Sequence, residues 1–280
     1  MDSMRLAEDL TAALDRGEFV LHFQPFIALS TGKAIGVEAL IRWNHPRFGT
    51  LAPGAFIGLA ERSGAIVQIG SWVMCESARA ARALAERGFP ITVAFNVAAS
   101  QLLERSFLER LDAAMECGHS PQRMIAEITE TIAIADTLKA KYVLAEIRAR
   151  GLGIALDDFG TGYSSLRYLL DLTVDVVKID RSFVAGIPEC PKSATIARAV
   201  IDLSHSVGAT VQAEGIERAH QLEVLVDWRC DQAQGYYIAR PVPLPYLLDW
   251  LSRRNGLAAS TPGCKLPHIV GRERVVHSTL

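Results

Sequence analysis

Eight short apolar or β-branched runs recur along the chain, and longer amphipathic segments separate most of them. This alternation is the pattern of β/α units built around a parallel sheet. A single (β/α)8 barrel uses about 250 residues, and this chain has 280. We therefore expect an α/β fold with one barrel as its core. The candidate strands are Glu18 to Phe26, Ala34 to Trp43, Ile91 to Val97, Met124 to Thr129, Gly153 to Phe159, Val174 to Asp180, Ala209 to Gly215 and Cys230 to Ile238.

Helical segments and a tail complete the predicted domain. The stretch from Arg5 to Gly17 places leucines on one stripe and predicts a lead-in helix. The stretch from Gly70 to Gly88 has helical spacing and ends on a glycine that suits a helix C-cap. The last residues, rich in Gly, Pro and Ser, show no clear period. We expect a barrel domain over residues 1–255 and a flexible tail over residues 256–280.

Charge and hydropathy exclude several classes of function. With 29 basic and 31 acidic residues and a net charge of −2, the chain lacks the electrostatic signature of duplex nucleic-acid binding. The amino terminus, MDSMRLAEDL, carries acids where a signal peptide needs an apolar core, and no apolar run is long enough to span a membrane. We therefore expect no membrane segment, no duplex nucleic-acid partner and a cytoplasmic protein.

The cysteines indicate neither a disulfide framework nor a zinc site. They are odd in number, far apart and without any C-x-x-C pair. Such usage fits a reducing cytoplasm. The five are Cys75, Cys117, Cys190, Cys230 and Cys264.

Polar residues fall toward the carboxyl end of the predicted strands. In a parallel barrel these ends open on one rim, where the catalytic groups of such enzymes are found. A single strand-end charge is most simply a helix cap or a solvated residue, but repetition on strand after strand favours a functional site, since buried charges need partners. The residues are Glu38, Asn96, Glu127, Asp157, Asp158, Lys178, Asp180, Glu214 and Gln234.

Crowded carboxylates have two main physical solutions: shared protons with raised pKa values, or bound cations. Oxygen donors without His or Cys favour magnesium or manganese over zinc or copper. At the frayed strand end before FGTG the backbone can turn, so that Asp157 could bridge two ions and Asp158 could hold the second. Paired divalent ions of this kind clamp the attacking and leaving oxygens of phosphoryl transfer.

Six motifs occur in order along the chain: VEALIRW, AEITE, LDDFGTGYSSL, VVKIDRSFV, AEGIE and DQAQGYYIARPVP. Together they resemble the motif set of EAL-domain phosphodiesterases, over roughly Leu6 to Trp250. The resemblance implies a modified TIM (β/α)8 barrel whose first strand is antiparallel to the others. It also implies hydrolysis of the bacterial second messenger cyclic di-GMP to linear pGpG with two Mg²⁺ or Mn²⁺ ions, in a homodimer that serves bacterial signalling in biofilm formation and motility.

The resemblance also implies a role for individual residues. The first metal ion would be held by Glu38, Asn96, Glu127 and Asp157, and the second by Asp157, Asp158 and Glu214. Glu214 would act as the general base, and Lys178 would position the attacking water or offset developing charge. Substrate contacts would come from Gln24, Arg42, Glu217 and Gln234.

Two residues would act at one remove from the substrate. Glu130 would anchor the loop from Gly160 to Leu166, which couples dimerisation to metal binding in the family, and Asp180 would orient Lys178. Plainer interpretations exist for three positions. Arg42 could be a surface arginine, Lys178 could pair only with Asp180, and Glu130 could simply favour the start of a helix.

Other functions use parts of the same pattern. A catalytically silent EAL module would bind cyclic di-GMP or a protein as a receptor, and usually has a broken metal ligand, whereas none is broken here. A lyase could use Lys178 for a Schiff base or as an enolase-type base, but that leaves Glu38, Asn96 and Glu127 unexplained. A kinase interpretation of DFG fails because no glycine-rich G-x-G-x-x-G loop and no H-R-D motif are present.

Overall fold

The structure is a computed structural model that describes residues 3–118, 123–129, 137–160 and 173–258. Its sheet runs in the order β1-β9-β8-β7-β6-β5-β4-β2-β3, and pairing of β1 with β2 closes eight of these strands into a barrel. The eight barrel strands confirm the eight predicted ones. Within the described residues the strands are β1 Phe19–Ala28, β2 Ala34–His45, β3 Gly49–Leu51, β4 Thr92–Val97, β5 Met124–Thr129, β6 Gly153–Phe159, β7 Val176–Ile179, β8 Thr210–Ala213 and β9 Gln232–Gln234.

The first strand runs antiparallel to both of its neighbours, β2 and β9, whereas the pairs from β2–β4 around to β8–β9 are parallel. This confirms the modified barrel that the resemblance implies. The connection from β1 to β2 spans only residues 29–33. So short a connection permits a hairpin, because a parallel crossover needs a dozen residues or more. The additional strand β3 pairs with the end of β2, outside the closed ring.

Helices cover the barrel from outside. They are α1 Ser3–Ala13, α2 Ile57–Ser63, α3 Ile66–Glu86, α4 Ala99–Leu102, α5 Phe107–Glu116, α6 Thr137–Ala149, α7 Arg181–Val184, α8 Pro191–Ser206, α9 Ala219–Asp227 and α10 Leu244–Ala258, with a 3₁₀ turn at Pro53–Ala55. The lead-in helix is confirmed as α1, which buries Leu6 and Leu10. The predicted helix from Gly70 is the longer α3, and Gly88 beyond its end has φ +82°.

Strand alternation separates the core from the site. In β4, Phe95 and Val97 are buried, whereas Asn96 between them is exposed. Alternate residues of a barrel strand face the helices and the barrel interior, so the apolar core lies between barrel and helices. The polar residues are left for the interior and its rim.

One expectation about cysteine is wrong. Cys75 of α3 and Cys117, at the end of α5, form a disulfide with a Cα–Cα distance of 5.7 Å. The two helices pack so closely here that a Cβ on Gly118 would collide with the Ala78 backbone. The bonded pair is separated by 42 residues, so local spacing could not reveal it. Within the described residues, Cys190 and Cys230 are free.

Two further expectations concern membrane-spanning helices and the C-terminal boundary of the domain. No helix in the described ranges has both the length and the apolar character needed to cross a membrane. Helix α10 continues to Ala258, past the expected domain boundary at residue 255. The rest of the predicted tail lies outside the described residues.

Candidate metal centre and active site

A buried lysine lies among carboxylates from four strands or strand ends. Lys178 of β7 is 1% exposed, and its Nζ lies 2.8 Å from Glu127 Oε2 and 2.7 Å from Glu214 Oε1. Asp157 Oδ1 follows at 3.3 Å and Glu38 Oε1 at 4.0 Å. These acids come from β5, the residue after β8, β6 and β2. Barrel closure therefore brings together residues that lie far apart in sequence.

Amide side chains hold Glu38 from both sides. Asn96 Nδ2 donates to Glu38 Oε1 at 2.9 Å, and Gln234 Nε2 donates to Glu38 Oε2 at 2.7 Å. Gln234 Nε2 also donates to Gln24 Oε1 at 3.2 Å, and Gln234 Oε1 accepts from Gln212 Nε2 at 2.7 Å. Sequence reasoning missed Gln212. The available signal was its position two residues before Glu214, on the same face of β8 by alternation.

The adjacent carboxylates Asp157 and Asp158 lie where the backbone leaves regular strand geometry. The register between β6 and β7 shifts between Leu156 and Phe159, and Asp158 has φ +55°. Its N–H donates to Asp157 Oδ1 at 2.9 Å. Aspartate adopts left-handed backbone more readily than most residues. The backbone therefore turns at this point, as the sequence suggested, and two neighbouring acids need not face opposite sides of the sheet.

One ammonium does not fully compensate the buried acids. Burial, which outweighs the attraction of Lys178, raises the pKa of Glu127 well above its ordinary value and that of Glu214 to about 8. Burial also opposes ionisation of Glu38, yet Lys178 and the amide hydrogen bonds bring its pKa below the ordinary value. The pKa of Lys178 is raised well above its usual range because the surrounding acids outweigh burial.

The outer acid Asp158 shows the same excess of negative charge. Burial, followed by the charges of Asp157 and Asp180, raises the pKa of Asp158. Additional positive charge would therefore favour ionisation across the whole rim.

The donor set fits a hard divalent cation. Carboxylate and amide oxygens are the ligands that Mg²⁺ and Mn²⁺ prefer, and the barrel brings six such residues to one rim. In the described ranges, no three acidic, His or Cys side chains already form a metal-ligand cluster; the Lys178 ammonium lies between the acids. The six are Glu38, Asn96, Glu127, Asp157, Asp158 and Glu214.

The remaining predicted residues lie around this centre with varied contacts. Arg42 is half-buried beside Glu38 and Tyr236, and burial lowers the pKa of its guanidinium. Its Nη1 donates to the Ile41 carbonyl at 2.9 Å. Glu217 is exposed in the segment between β8 and α9. The buried Glu38, Glu127 and Lys178 therefore form the floor of the site, and Arg42 and Glu217 lie nearer the protein surface.

Asp180 and Glu130 are the two residues predicted to support the site without contacting the substrate. Asp180 Oδ1 accepts from Ser182 N at 2.9 Å and caps α7, whereas the partners of Lys178 are the carboxylates described above. Glu130 lies outside the described residues, as does the predicted loop beyond Gly160.

The fold and the site together define a class of protein. This chain is an α/β-barrel protein with a candidate metal centre, formed by an acidic rim and a lysine at a strand end. The EAL domain family model matches residues 7–241. The chain belongs to the EAL family.

Two curated Pseudomonas aeruginosa proteins are similar to it. The bifunctional diguanylate cyclase/cyclic di-GMP phosphodiesterase MucR is 38% identical over 249 residues, covering 88% of this chain and 36% of MucR. The cyclic di-GMP phosphodiesterase RocR is 37% identical over 245 residues, covering 87% of this chain and 62% of RocR. The chain thus spans less than two thirds of the length of either relative.

A solved structure shares the barrel. The PaMucR phosphodiesterase in its c-di-GMP complex matches with a TM-score of 0.83 and 38% identity, covering 87% of this chain and 99% of that one. The similarity therefore extends over nearly the whole of that solved domain.

Proposed function

We propose that this chain is a metal-dependent phosphodiesterase that hydrolyses cyclic di-GMP to linear pGpG. The observation that carries the proposal is the convergence of Glu38, Glu127, Asp157 and Glu214 around Lys178. This convergence lies in a barrel similar to one solved with c-di-GMP. The names of MucR and RocR support the same substrate.

Two divalent cations, Mg²⁺ or Mn²⁺, would complete the centre. The first would be held by Glu38, Asn96, Glu127 and Asp157, and the second by Asp157, Asp158 and Glu214. When bound, such cations supply Lewis acidity and a water of lowered pKa. The uncompensated acids around Lys178 support this assignment, because added positive charge stabilises their ionised forms.

The chain's own residues would then move the proton and offset the charge. Glu214 takes the proton of the attacking water as that oxygen bonds to phosphorus. The bond from phosphorus to the ribose 3′ oxygen breaks, and that oxygen leaves with the electron pair and takes up a proton from solvent to become the 3′ hydroxyl of pGpG. Lys178, 2.7 Å from Glu214, keeps its ammonium in the floor and offsets negative charge as it develops on the phosphate oxygens. The buried position of Lys178 strengthens this effect, because water screens it little.

Substrate contacts would come from residues at two depths. Arg42 has the planar fork that suits phosphate oxygens, and the exposed Glu217 can accept hydrogen bonds from a guanine edge. Gln24 and Gln234 lie deeper, 8% and 3% exposed, and would contact the substrate from the floor of the site.

The proposal extends to supporting residues and to the cellular setting. Asp180, through its cap on α7, would fix the segment that follows Lys178, and Glu130 would anchor the loop after Gly160. A homodimer in the bacterial cytoplasm, acting in signalling that controls biofilm formation and motility, rests on family resemblance alone.

Chromatography of nucleotide products tests the proposal. The purified chain with Mg²⁺ or Mn²⁺ should convert cyclic di-GMP to pGpG, and excess chelator should stop the reaction. Glu38→Ala should abolish turnover, because it removes a proposed metal ligand. Tight binding of cyclic di-GMP by a metal-loaded chain that forms no pGpG would refute the enzyme and favour the receptor.

A further inference from the structure

Three buried glutamines form a hydrogen-bonded chain across the strands where the barrel closes. We call Gln212, Gln234 and Gln24 the amide ladder; they lie in β8, β9 and β1 and are 2%, 3% and 8% exposed. Gln212 donates to Gln234, Gln234 donates to Gln24, and Gln24 Nε2 donates to the Ala239 carbonyl at 3.0 Å. Every amide therefore points the same way along the ladder.

The ladder fixes the orientation of the Gln234 amide. Both Nε2 hydrogens are used, on Glu38 Oε2 and Gln24 Oε1, and a glutamine has only two. Reversing this amide would place its oxygen against the Glu38 carboxylate, so that two acceptors would face each other. It would also leave Gln212 without its acceptor in a buried site, which is costly. Gln212 thus helps to select one of the two orientations.

Glu38 depends on that orientation. One of its oxygens accepts from Asn96 and the other accepts from Gln234. A residue that orients a metal ligand from behind affects metal affinity without touching the metal. Gln212 stands one hydrogen bond further back, and the six motifs of the resemblance assign it no role.

We propose that Gln212 is a positioning residue of the metal centre, which holds the Gln234 amide so that it keeps Glu38 ready for a divalent cation. The inference rests on the proposed function. A purely structural role of Gln212 would have a different consequence. Substitution of Gln212 would then lower the stability of the fold, while the folded protein would keep its metal affinity.

Titration of the full chain with Mn²⁺, with free Mn²⁺ followed by electron paramagnetic resonance, tests the inference. Gln212→Met keeps length but removes the donor, and should weaken Mn²⁺ binding by about tenfold, the lower end of the range for residues behind a ligand. Gln101→Met is the matched control, because Gln101 is also 2% exposed but lies in α4 and packs against Gly70 of α3. Its Mn²⁺ affinity should equal that of the wild type.

A double-substitution cycle separates positioning from structure. Gln234→Met alone should also weaken Mn²⁺ binding, and adding Gln212→Met to it should change the affinity no further, because Gln212 acts through Gln234. If the losses of Mn²⁺ affinity in the two single variants multiply in the double variant, the positioning role of Gln212 is refuted. The same holds if Gln212→Met binds Mn²⁺ as tightly as the wild type. Neither result would refute the metal centre itself.

Two other results would also decide the question: a wild type that binds no Mn²⁺, and variants that do not fold. A wild-type chain that leaves Mn²⁺ free would refute the metal centre itself, and the role of Gln212 with it. Gln212→Leu serves as a second donor-free variant, with folding checked by circular dichroism. If both variants are unfolded, Gln212 is a determinant of folding and the positioning role is refuted.

Discussion

Replacing Lys178 with methionine removes the only cation within reach of four carboxylates in the described floor of the site. The substitution keeps most of the side-chain volume, so the main change is loss of charge. Glu127 and Glu214 lose partners at 2.8 and 2.7 Å, and Asp157 loses one at 3.3 Å. In the absence of metal, the free energy of unfolding of Lys178→Met should therefore be lower than that of the wild type.

Attraction and desolvation nearly cancel for an intact buried pair. At an effective dielectric constant of about 20, a pair at 2.8 Å contributes about 6 kcal/mol, whereas desolvation costs several kcal/mol for each ion. Removing one partner leaves the desolvation cost without the attraction, and destabilises by about 3–5 kcal/mol. We expect a loss in that range at pH 8. The loss should be smaller at pH 6, where Glu214, with its pKa of about 8, already carries a proton.

Urea unfolding in the presence of a chelator measures this loss. With a slope near 2–3 kcal/mol per molar urea, the midpoint should fall by roughly 1–2.5 M. Lys33→Met is the matched control, because Lys33 is exposed in the connection between β1 and β2, and it should change stability by less than about 0.5 kcal/mol. A Lys178→Met midpoint equal to that of the wild type at pH 8 would refute the charge argument.

Two further predictions concern pH and the disulfide. Glu214 has a pKa of about 8 in the folded protein against an ordinary value of 4.5, so the folded state binds more protons between those values. The unfolding free energy of the metal-free protein should therefore fall as pH rises from about 5 to about 8. Calorimetry should show a weaker pH dependence for Glu214→Gln, and equal slopes for the two proteins would contradict the assignment. Cys75→Ala with Cys117→Ala removes a cross-link between residues 42 positions apart and should cost about 2–4 kcal/mol, measured by urea unfolding. Identical urea midpoints for this double variant and for the wild type without reductant would contradict the disulfide.

Much of the barrel could be predicted because its strands are short apolar runs with polar ends. Family resemblance implies the antiparallel first strand, and the length of one connection supports it on physical grounds. Between the predicted strands that end at Phe26 and begin at Ala34, too few residues remain for a parallel crossover. Loop length therefore carried information that composition did not.

The environment of Lys178 could not be predicted from local sequence. Asp180 is its nearest acid along the chain, yet the acids that contact it come from other strands. Only closure of the ring determines which strand ends meet. Gln212 was hidden for a related reason, since a single amide between Val211 and Ala213 looks incidental until the partner on β9 is known.

The anomalous difference map of a crystal soaked in Mn²⁺ tests the central claim most directly. The account predicts two peaks on the rim, the first bonded to Glu38, Asn96, Glu127 and Asp157, and the second to Asp157, Asp158 and Glu214. A map without peaks at these side chains, in crystals that bind Mn²⁺ elsewhere or not at all, would contradict it.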